Sequence, residues 1–412
     1  MTLTTLLIIA YERGEEMNIY VFNCSNTFNY GSMMMGENFI YYLNSTMGIK
    51  NTYYIETQEE ININRLREDT GVDEIYSVKM NSLFKKGITK YDYVYGYIGT
   101  KNIISDFINE IDLVVVLGGD DFTEDYGWKA PILDALKFNL LIRKGLKVVM
   151  LGQTMGPYLS FRKPIMKCLL RKIDKIYPRD PMTFNYLKNF GLKNIAITDD
   201  LALLPLLKQE LKVKTKEYIT YCPSELIYRY SQEGKREDWI DFNLFMIDTV
   251  MTKYPDKKVV LLAHVLKPEH VDDRIIANEL YNLVNEKYAD RIIIEANAMY
   301  PYEVRNYLQQ SLFTISSRMH PVISSIQCEI PAIAISYSSK YWGIIGERYG
   351  LDDYILDVRY MSYNKMKEEF VKIVDKIELE YLQIQKLMKD KNKVAKESIM
   401  NTLQEISHII GL

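Results

Sequence analysis

The chain has 412 residues, more than one ordinary hydrophobic core can hold, and at roughly 100–200 residues per domain it reads as two domains. Hydrophobic residues make up 48% and charged residues 25%, a balance that excludes a disordered chain. With Lys+Arg at 51 against Asp+Glu at 54, the net charge of -3 gives no overall field for a polyanion, so nucleic acid is excluded as a partner and any anion must be held locally.

Met17 opens the first convincing strand, Asn18–Asn23, and residues 1–16 read as an extension from an upstream start codon. Short apolar runs then alternate with amphipathic stretches: Ile19–Phe22, Tyr53–Ile55, Leu113–Leu117, Val148–Leu151 and Ile195–Thr198 are expected to be buried strands separated by helices. That alternation implies a parallel sheet covered by helices. Between the first two strands, Asn26-Thr27-Phe28-Asn29-Tyr30-Gly31-Ser32 leads into a helix over Met33–Leu43, and its small polar residues suit an anion or a sugar hydroxyl at a helix start, or a plain turn with a cap. After the third strand comes Gly118-Gly119-Asp120-Asp121-Phe122. Its glycines allow close backbone approach to a ligand, and Asp120 or Asp121 is placed to accept hydroxyls, to act as a base, or to cap the next segment.

Gly152-Gln153-Thr154-Met155-Gly156-Pro157 follows the fourth strand; Gly-Pro ends the strand sharply, so the segment reads first as a turn and otherwise as a binding loop in which Gln153 and Thr154 offer neutral hydrogen bonds. Phe161–Ile176 has the pattern of a basic amphipathic helix, suited to a solvated face or to a membrane surface. Arg179, in Tyr177-Pro178-Arg179-Asp180-Pro181, can fork onto a carboxylate or phosphate, or pair with Asp180 ahead of a helix that Pro181 opens.

A charged stretch, Lys208–Glu217, separates this half, residues 17–207, from a second half over residues 216–360. Its expected strands are Tyr218–Cys222, Val259–Ala263, Ile292–Glu295, Phe313–Ser316 and Ala332–Ser336. The strongest site candidate, Ser316-Ser317-Arg318-Met319-His320-Pro321, lies between a strand and a helix expected to begin near Pro321. Arg318, His320 and free backbone N–H groups should converge there on an anion, with the imidazole as acid or base; Arg318 and the helix end would depress its pKa until a polyanion binds. Lys340, in Ser336-Tyr337-Ser338-Ser339-Lys340-Tyr341, is expected on the same rim. Residues 364–412 carry apolar side chains at helical spacing, Phe370 to Ile377 and again Leu403 to Ile410, and are expected to be helices packed back on the first domain. Two parallel-sheet domains of this kind are expected to face across a cleft at the carboxyl ends of their strands.

The four cysteines, Cys24, Cys168, Cys222 and Cys328, form no Cys-x-x-Cys pair and read as free, buried thiols. No apolar run approaches the ~18 residues of a membrane span, so the expected place of work is the cytoplasm, up to the inner face of the membrane. No Asp-x-Asp triple, His cluster with metal spacing or nucleotide phosphate loop occurs, and neither metal nor cofactor is expected.

The ordered set Asn29-Tyr30-Gly31-Ser32, Gly118-Gly119-Asp120-Asp121-Phe122, Gly152-Gln153-Thr154-Met155-Gly156-Pro157, Arg179-Asp180, Asp199-Asp200-Leu201-Ala202, Arg318-Met319-His320 and Ile335-Ser336-Tyr337-Ser338-Ser339-Lys340 resembles the polysaccharide pyruvyl transferase family over about residues 18 to 345. Many members have a third glycine at Asp120 and serines at Thr154 and Thr183. The resemblance implies a fold similar to the two-Rossmann glycosyltransferase type B. It also implies transfer of an enolpyruvyl unit from phosphoenolpyruvate to a sugar as a pyruvate ketal. Arg318, His320 and Arg179 look like the family's donor-site residues. From the loops themselves, Lys340, Ser317, Gly118, Gly119, Asn29 and Gln153 are expected as further substrate contacts, and His320, Asp120 and Asp121 as catalytic groups. The acceptor is expected to be lipid-linked, nucleotide-linked or polymeric. A metal-independent nucleotide-sugar glycosyltransferase of the same fold is the next reading, and a non-catalytic sugar-binding protein the third.

Overall fold

The computed structural model describes residues 16–48, 51–210, 215–232 and 234–410, so the expected extension falls outside it except for Glu16. The chain forms two α/β units of Rossmann type. One comprises the residues up to Thr27, Met35–Leu201 and Glu397 onward; the other comprises Phe28–Met34 and Ala202–Lys396.

The first unit is built on a six-stranded parallel sheet in the order β3-β2-β1-β4-β5-β6. The strands are β1 Met17–Phe22, β2 Asn51–Glu56, β3 Ile75–Val78, β4 Leu113–Leu117, β5 Lys147–Gln153 and β6 Lys175–Pro178. In β4 every residue is buried, as a central strand with helices over both faces requires. Ile19 pairs with Leu113 and Val21 with Val115, so β1 and β4 lie side by side where the strand order reverses. In doubly wound sheets that reversal is where the loops after the two strands open a crevice.

The second unit repeats the order as β12-β11-β10-β7-β8-β9. Its strands are β7 Tyr218–Cys222, β8 Lys258–Leu262, β9 Ile292–Glu295, β10 Ser311–Ser316, β11 Ala332–Ser336 and β12 Ile355–Asp357. Ile315 pairs with Tyr221 and Ser316 with Cys222, which sets the reversal between β7 and β10.

Several sequence expectations are corrected. Ile195–Thr198 is not a strand: Ile195 makes a single bridge to Ile176, and the sixth strand is Lys175–Pro178. The basic helix expected over Phe161–Ile176 spans only Arg162–Leu170, because Lys175 and Ile176 are drawn into the sheet beside Val149 and Met150. One helix of 48 residues, Tyr363–Ile410, replaces the separate helical stretches expected at the C-terminus. Its early turns bury Phe370, Val374 and Ile377 in the second unit, and its last turns bury Ile399, Leu403 and Ile406 in the first. None of the four cysteines is in a disulfide, and three are buried as expected, but Cys168 is exposed, on the outer face of the helix Arg162–Leu170. Among the described residues, no helix is long and apolar enough to cross a membrane.

Candidate functional site

In the second unit the chemistry gathers at the ends of β8, β10 and β11. Ser316, the last residue of β10, donates its hydroxyl to the Arg318 carbonyl (2.7 Å) and accepts the Arg318 N–H (3.0 Å). This local turn places Arg318 at the N-cap of the helix Met319–Gln327, with His320 second in that helix rather than ahead of it. β11 ends the same way, since the Ser336 hydroxyl donates to the Ser338 carbonyl (3.0 Å) just before Lys340. Tyr341 donates from its phenol to the Ser317 carbonyl (3.2 Å) and so ties the two loops together. The Lys340 ammonium is buried 5.0 Å above the Tyr337 ring and 3.3 Å from its hydroxyl.

The Arg318 guanidinium is held at one edge. Its Nε donates to both oxygens of the fully buried Asp273 (3.2 and 3.1 Å), and its Nη2 donates to Asp273 (2.8 Å) and to the Val271 carbonyl (2.9 Å). Burial opposes the charge, but Asp273 outweighs it by charge and hydrogen bonds and holds the guanidinium above its usual range. Among the described residues Nη1 makes no hydrogen bond, so one terminal nitrogen is left for an oxyanion.

The segment Phe28–Met34 follows β1 in sequence but groups with this second unit. It is pinned to the strand end at His264–Leu266: Leu266 donates to the Phe28 carbonyl (2.8 Å), Tyr30 to the His264 carbonyl (3.3 Å), and Asn29 bridges Val265. The Tyr30 ring meets the His264 imidazole edge-on at 5.4 Å. Gly31 lies directly against His320, so close that a Cβ there would stand 2.1 Å from the imidazole Nδ1. The unit thus brings together Arg318, His320, Lys340, Ser317 and Asn29.

His264 and Asp273 were not singled out in the sequence. His264 is buried, its Nε2 has no hydrogen-bond partner among the described residues, and burial first, then the neighbouring His320 and Arg318, push its pKa well below the ordinary range. The signal was available, because His264 stands directly after a strand, as each of the chosen loops does. Asp273 carried no such mark; its role depends on a contact with a residue 45 positions away.

In the first unit, the loops after β1 and β4 meet at the strand-order reversal. A Cβ on Gly118 would fall 1.8 Å from the Gly152 carbonyl oxygen, so the close approach of the chain after β4 to the Gly152 backbone admits no side chain there. The Gly119 carbonyl accepts the Thr154 N–H (2.9 Å). Asp120 is half-buried and accepts the Tyr126 phenol (2.6 Å); Asp121 is exposed beside the Asn23 amide (3.4 Å). Gln153 is fully buried, with its amide donating to the Val116 carbonyl (2.9 Å) across the sheet.

Arg179 is only 1% exposed. Its Nη1 donates to Asp200 (2.7 Å) and its Nε to the Thr154 hydroxyl (3.0 Å). The pairing with Asp180 considered from sequence does not form, because Asp180 instead caps the helix Pro181–Asn189 through the Thr183 N–H (2.8 Å) and hydroxyl (2.8 Å). As with Arg318, an acidic partner fixes one part of the guanidinium, and Nη2 makes no hydrogen bond among the described residues.

Two parallel sheets of this order define an α/β protein of the glycosyltransferase type B fold. The UDP-GlcNAc 2-epimerase of Neisseria meningitidis superposes with a TM-score of 0.57 at 9% identity, over 94% of this chain and 99% of that one. The pneumococcal O-GlcNAc transferase GtfA gives 0.58 at 9%, over 96% and 98%. The model of the polysaccharide pyruvyl transferase family matches residues 29–339, and the chain belongs to that family. It is also 22% identical over 271 residues to the amylovoran biosynthesis protein AmsJ of Erwinia amylovora, a match spanning 62% of this chain and 63% of that protein.

Proposed function

We propose that the protein transfers a pyruvyl group from phosphoenolpyruvate to a sugar of a polysaccharide or its precursor, forming a pyruvate ketal and releasing phosphate. The observation that carries the reading is the group at the ends of β10 and β11: Arg318 held by Asp273 with Nη1 left over, His320 against Gly31, and a buried Lys340. Phosphoenolpyruvate offers a carboxylate and a phosphate to those cations. Burial strengthens both contacts, because the low-dielectric surroundings screen them less than water does.

His320 gives a proton to the methylene carbon, which becomes the methyl group, and cationic character develops at the neighbouring carbon. A sugar hydroxyl adds there as Asp120 or Asp121 takes its proton. A second hydroxyl of the same sugar then forms the other C–O bond as the C–O bond to phosphate breaks. Of the two hydroxyl protons, one restores His320 and one leaves with phosphate. Arg179, oriented by Asp200, adds a second guanidinium for the donor. Ser317, Asn29 and the backbone of Gly118 and Gly119 serve as neutral contacts, and Gln153 braces the sheet end beneath them.

The test is incubation with phosphoenolpyruvate and saccharide acceptors, following phosphate release and the new ketal methyl signal by NMR. His320→Ala is expected to lose about 10²–10⁴-fold in turnover with its melting temperature kept, the usual range for a missing general acid. Near-normal turnover would remove His320 from the reaction. Release of a nucleoside diphosphate from a nucleotide sugar, with none of phosphate from phosphoenolpyruvate, would replace this reading by a glycosyltransferase of the same fold.

A further inference from the structure

Residues 157–173 of the first unit carry five basic side chains, Arg162, Lys163, Lys167, Arg171 and Lys172, and no acidic one, in a chain whose net charge is -3. The same stretch exposes large apolar groups at its tip: Leu159 is 55% and Phe161 59% accessible, with Ile165 exposed one helical turn on. The Trp128 ring, also exposed, stands 5.6 Å from Phe161 in an edge-on contact.

This tip is held out rather than loose. Beneath it Tyr158 is buried, its N–H bonded to the Tyr186 hydroxyl (2.8 Å) and its own hydroxyl to the Phe122 carbonyl (2.9 Å). Arg162 pairs with Glu124 (2.7 Å) and donates from Nε to the Leu159 carbonyl (3.1 Å). Between the two apolar residues Ser160 sits at φ 51, a left-handed conformation that disfavours any side chain. The two side chains that flank this residue, Leu159 and Phe161, are both exposed.

On the helix Arg162–Leu170, Phe161 and Ile165 are four residues apart along one flank of the exposed face, and Lys163 and Lys167 four apart along the other. Apolar tips beside cations fit a surface that is both anionic and able to take hydrocarbon. A nucleic acid or acidic glycan offers the charge but nothing for Leu159, Phe161 and Ile165 to enter.

We infer that Leu159–Lys172, with Trp128, is a docking surface for an anionic lipid bilayer. Leu159, Phe161 and Ile165 enter the headgroup boundary, and Lys163, Lys167, Arg171 and Lys172 lie over the lipid phosphates. The anchoring of the tip to Phe122, the last residue of the Gly118–Phe122 loop, brings that loop close to the bilayer, where a lipid-linked acceptor would be presented. Only that last consequence rests on the pyruvyl-transfer reading; the surface itself does not.

The experiment is co-sedimentation of the full chain with large vesicles of phosphatidylcholine alone or mixed with phosphatidylglycerol. Binding is expected only to the mixed vesicles and is expected to weaken with salt. Each basic residue near such a surface weighs about fivefold in partition, so Lys163→Gln with Lys167→Gln is expected to reduce binding roughly 25-fold. Leu159→Ser with Phe161→Ser is expected to reduce it at least about tenfold. Leu379→Ser with Leu382→Ser, at side chains 84% and 77% exposed on the helix Tyr363–Ile410, is expected to change nothing. No binding to anionic vesicles at low salt, or equal binding by all three pairs, overturns the inference. So does a concentration-dependent dimer that the Leu159/Phe161 pair abolishes. Turnover of soluble substrates is measured separately, so failure of the chemical reading leaves the vesicle result standing.

Discussion

His264 shows how a side chain outside the recognisable motifs shapes the candidate site. Its imidazole is buried between the Tyr30 ring and the charges of His320 and Arg318, which is why it stays neutral in the folded chain. In the unfolded chain the same group takes up a proton near pH 6.5. Below about that pH the unfolded state therefore binds one proton more, and folding loses stability as pH falls, by up to about 1.4 kcal/mol per unit. Buried Asp180 works in the opposite sense at lower pH, because burial raises its pKa and the folded state then holds the extra proton. The His264 part is isolated by comparison: urea melts of the wild type and His264→Gln between pH 7 and 5 should show the variant losing less stability on acidification. Parallel profiles would mean that His264 is protonated in the folded protein. The two buried ion pairs, Arg318 with Asp273 and Arg179 with Asp200, belong to the same scale. A buried pair adds little net stability once the cost of taking both charges from water is counted, so orientation is the better account of them. Arginines at strand ends are visible in a sequence. Which carboxylate fixes each of them is not, since Asp200 and Asp273 lie 21 and 45 residues away along the chain.

At the level of elements, two helix starts meet at one glycine. Gly31 is in the first turn of the helix Tyr30–Met47, and His320 in the first turn of Met319–Gln327. The Gly31 backbone is not in the left-handed region, so Gly31→Ala suits the helix and the added methyl has one effect, a collision with the imidazole at 2.1 Å from Nδ1 and 2.4 Å from Cγ. Turnover with phosphoenolpyruvate is expected to fall about a hundredfold, the scale of a displacement near 1 Å, while the melting temperature shifts little because helix propensity offsets the crowding. Unchanged turnover would show that the ring has room to move without losing its task. The central strands were legible in the sequence because burial on both faces makes them continuous apolar runs, as in Leu113–Leu117. Ile75–Val78 and Ile355–Asp357 were not. They are four and three residues long and lie at sheet edges, where one neighbour suffices and the apolar run is short or interrupted by exposed Tyr76 and Ser77. Ile195–Thr198 misled for the converse reason: its spacing suits a strand, and Ala196 and Thr198 donate to the Ile176 and Pro178 carbonyls, but a single bridge, Ile195 with Ile176, is all the ladder it forms.

Across the whole molecule, neither unit is one continuous piece of chain. The first takes its last element from residues 397 onward, the end of the helix that began in the second unit at Tyr363. Those turns bury Ile399, Leu403 and Ile406, and Thr402 donates to the Thr198 hydroxyl (3.0 Å) beside the buried Asp199-Asp200 pair. Three fully buried aliphatic side chains contribute about 5–9 kcal/mol between them. That is comparable with the whole stability of a domain, about 5–15 kcal/mol. Deleting residues 397–412 is therefore expected to unfold the first unit selectively. Amide exchange in Leu113–Leu117 should become fast in the truncated chain, while Phe313–Ser316 of the second unit stays protected. A shortened chain that kept its exchange protection but lost turnover would point to a direct role of the last turns in the reaction. If both sheets exchange alike, the two units fold as one cooperative body and the helix Tyr363–Ile410 is what couples them.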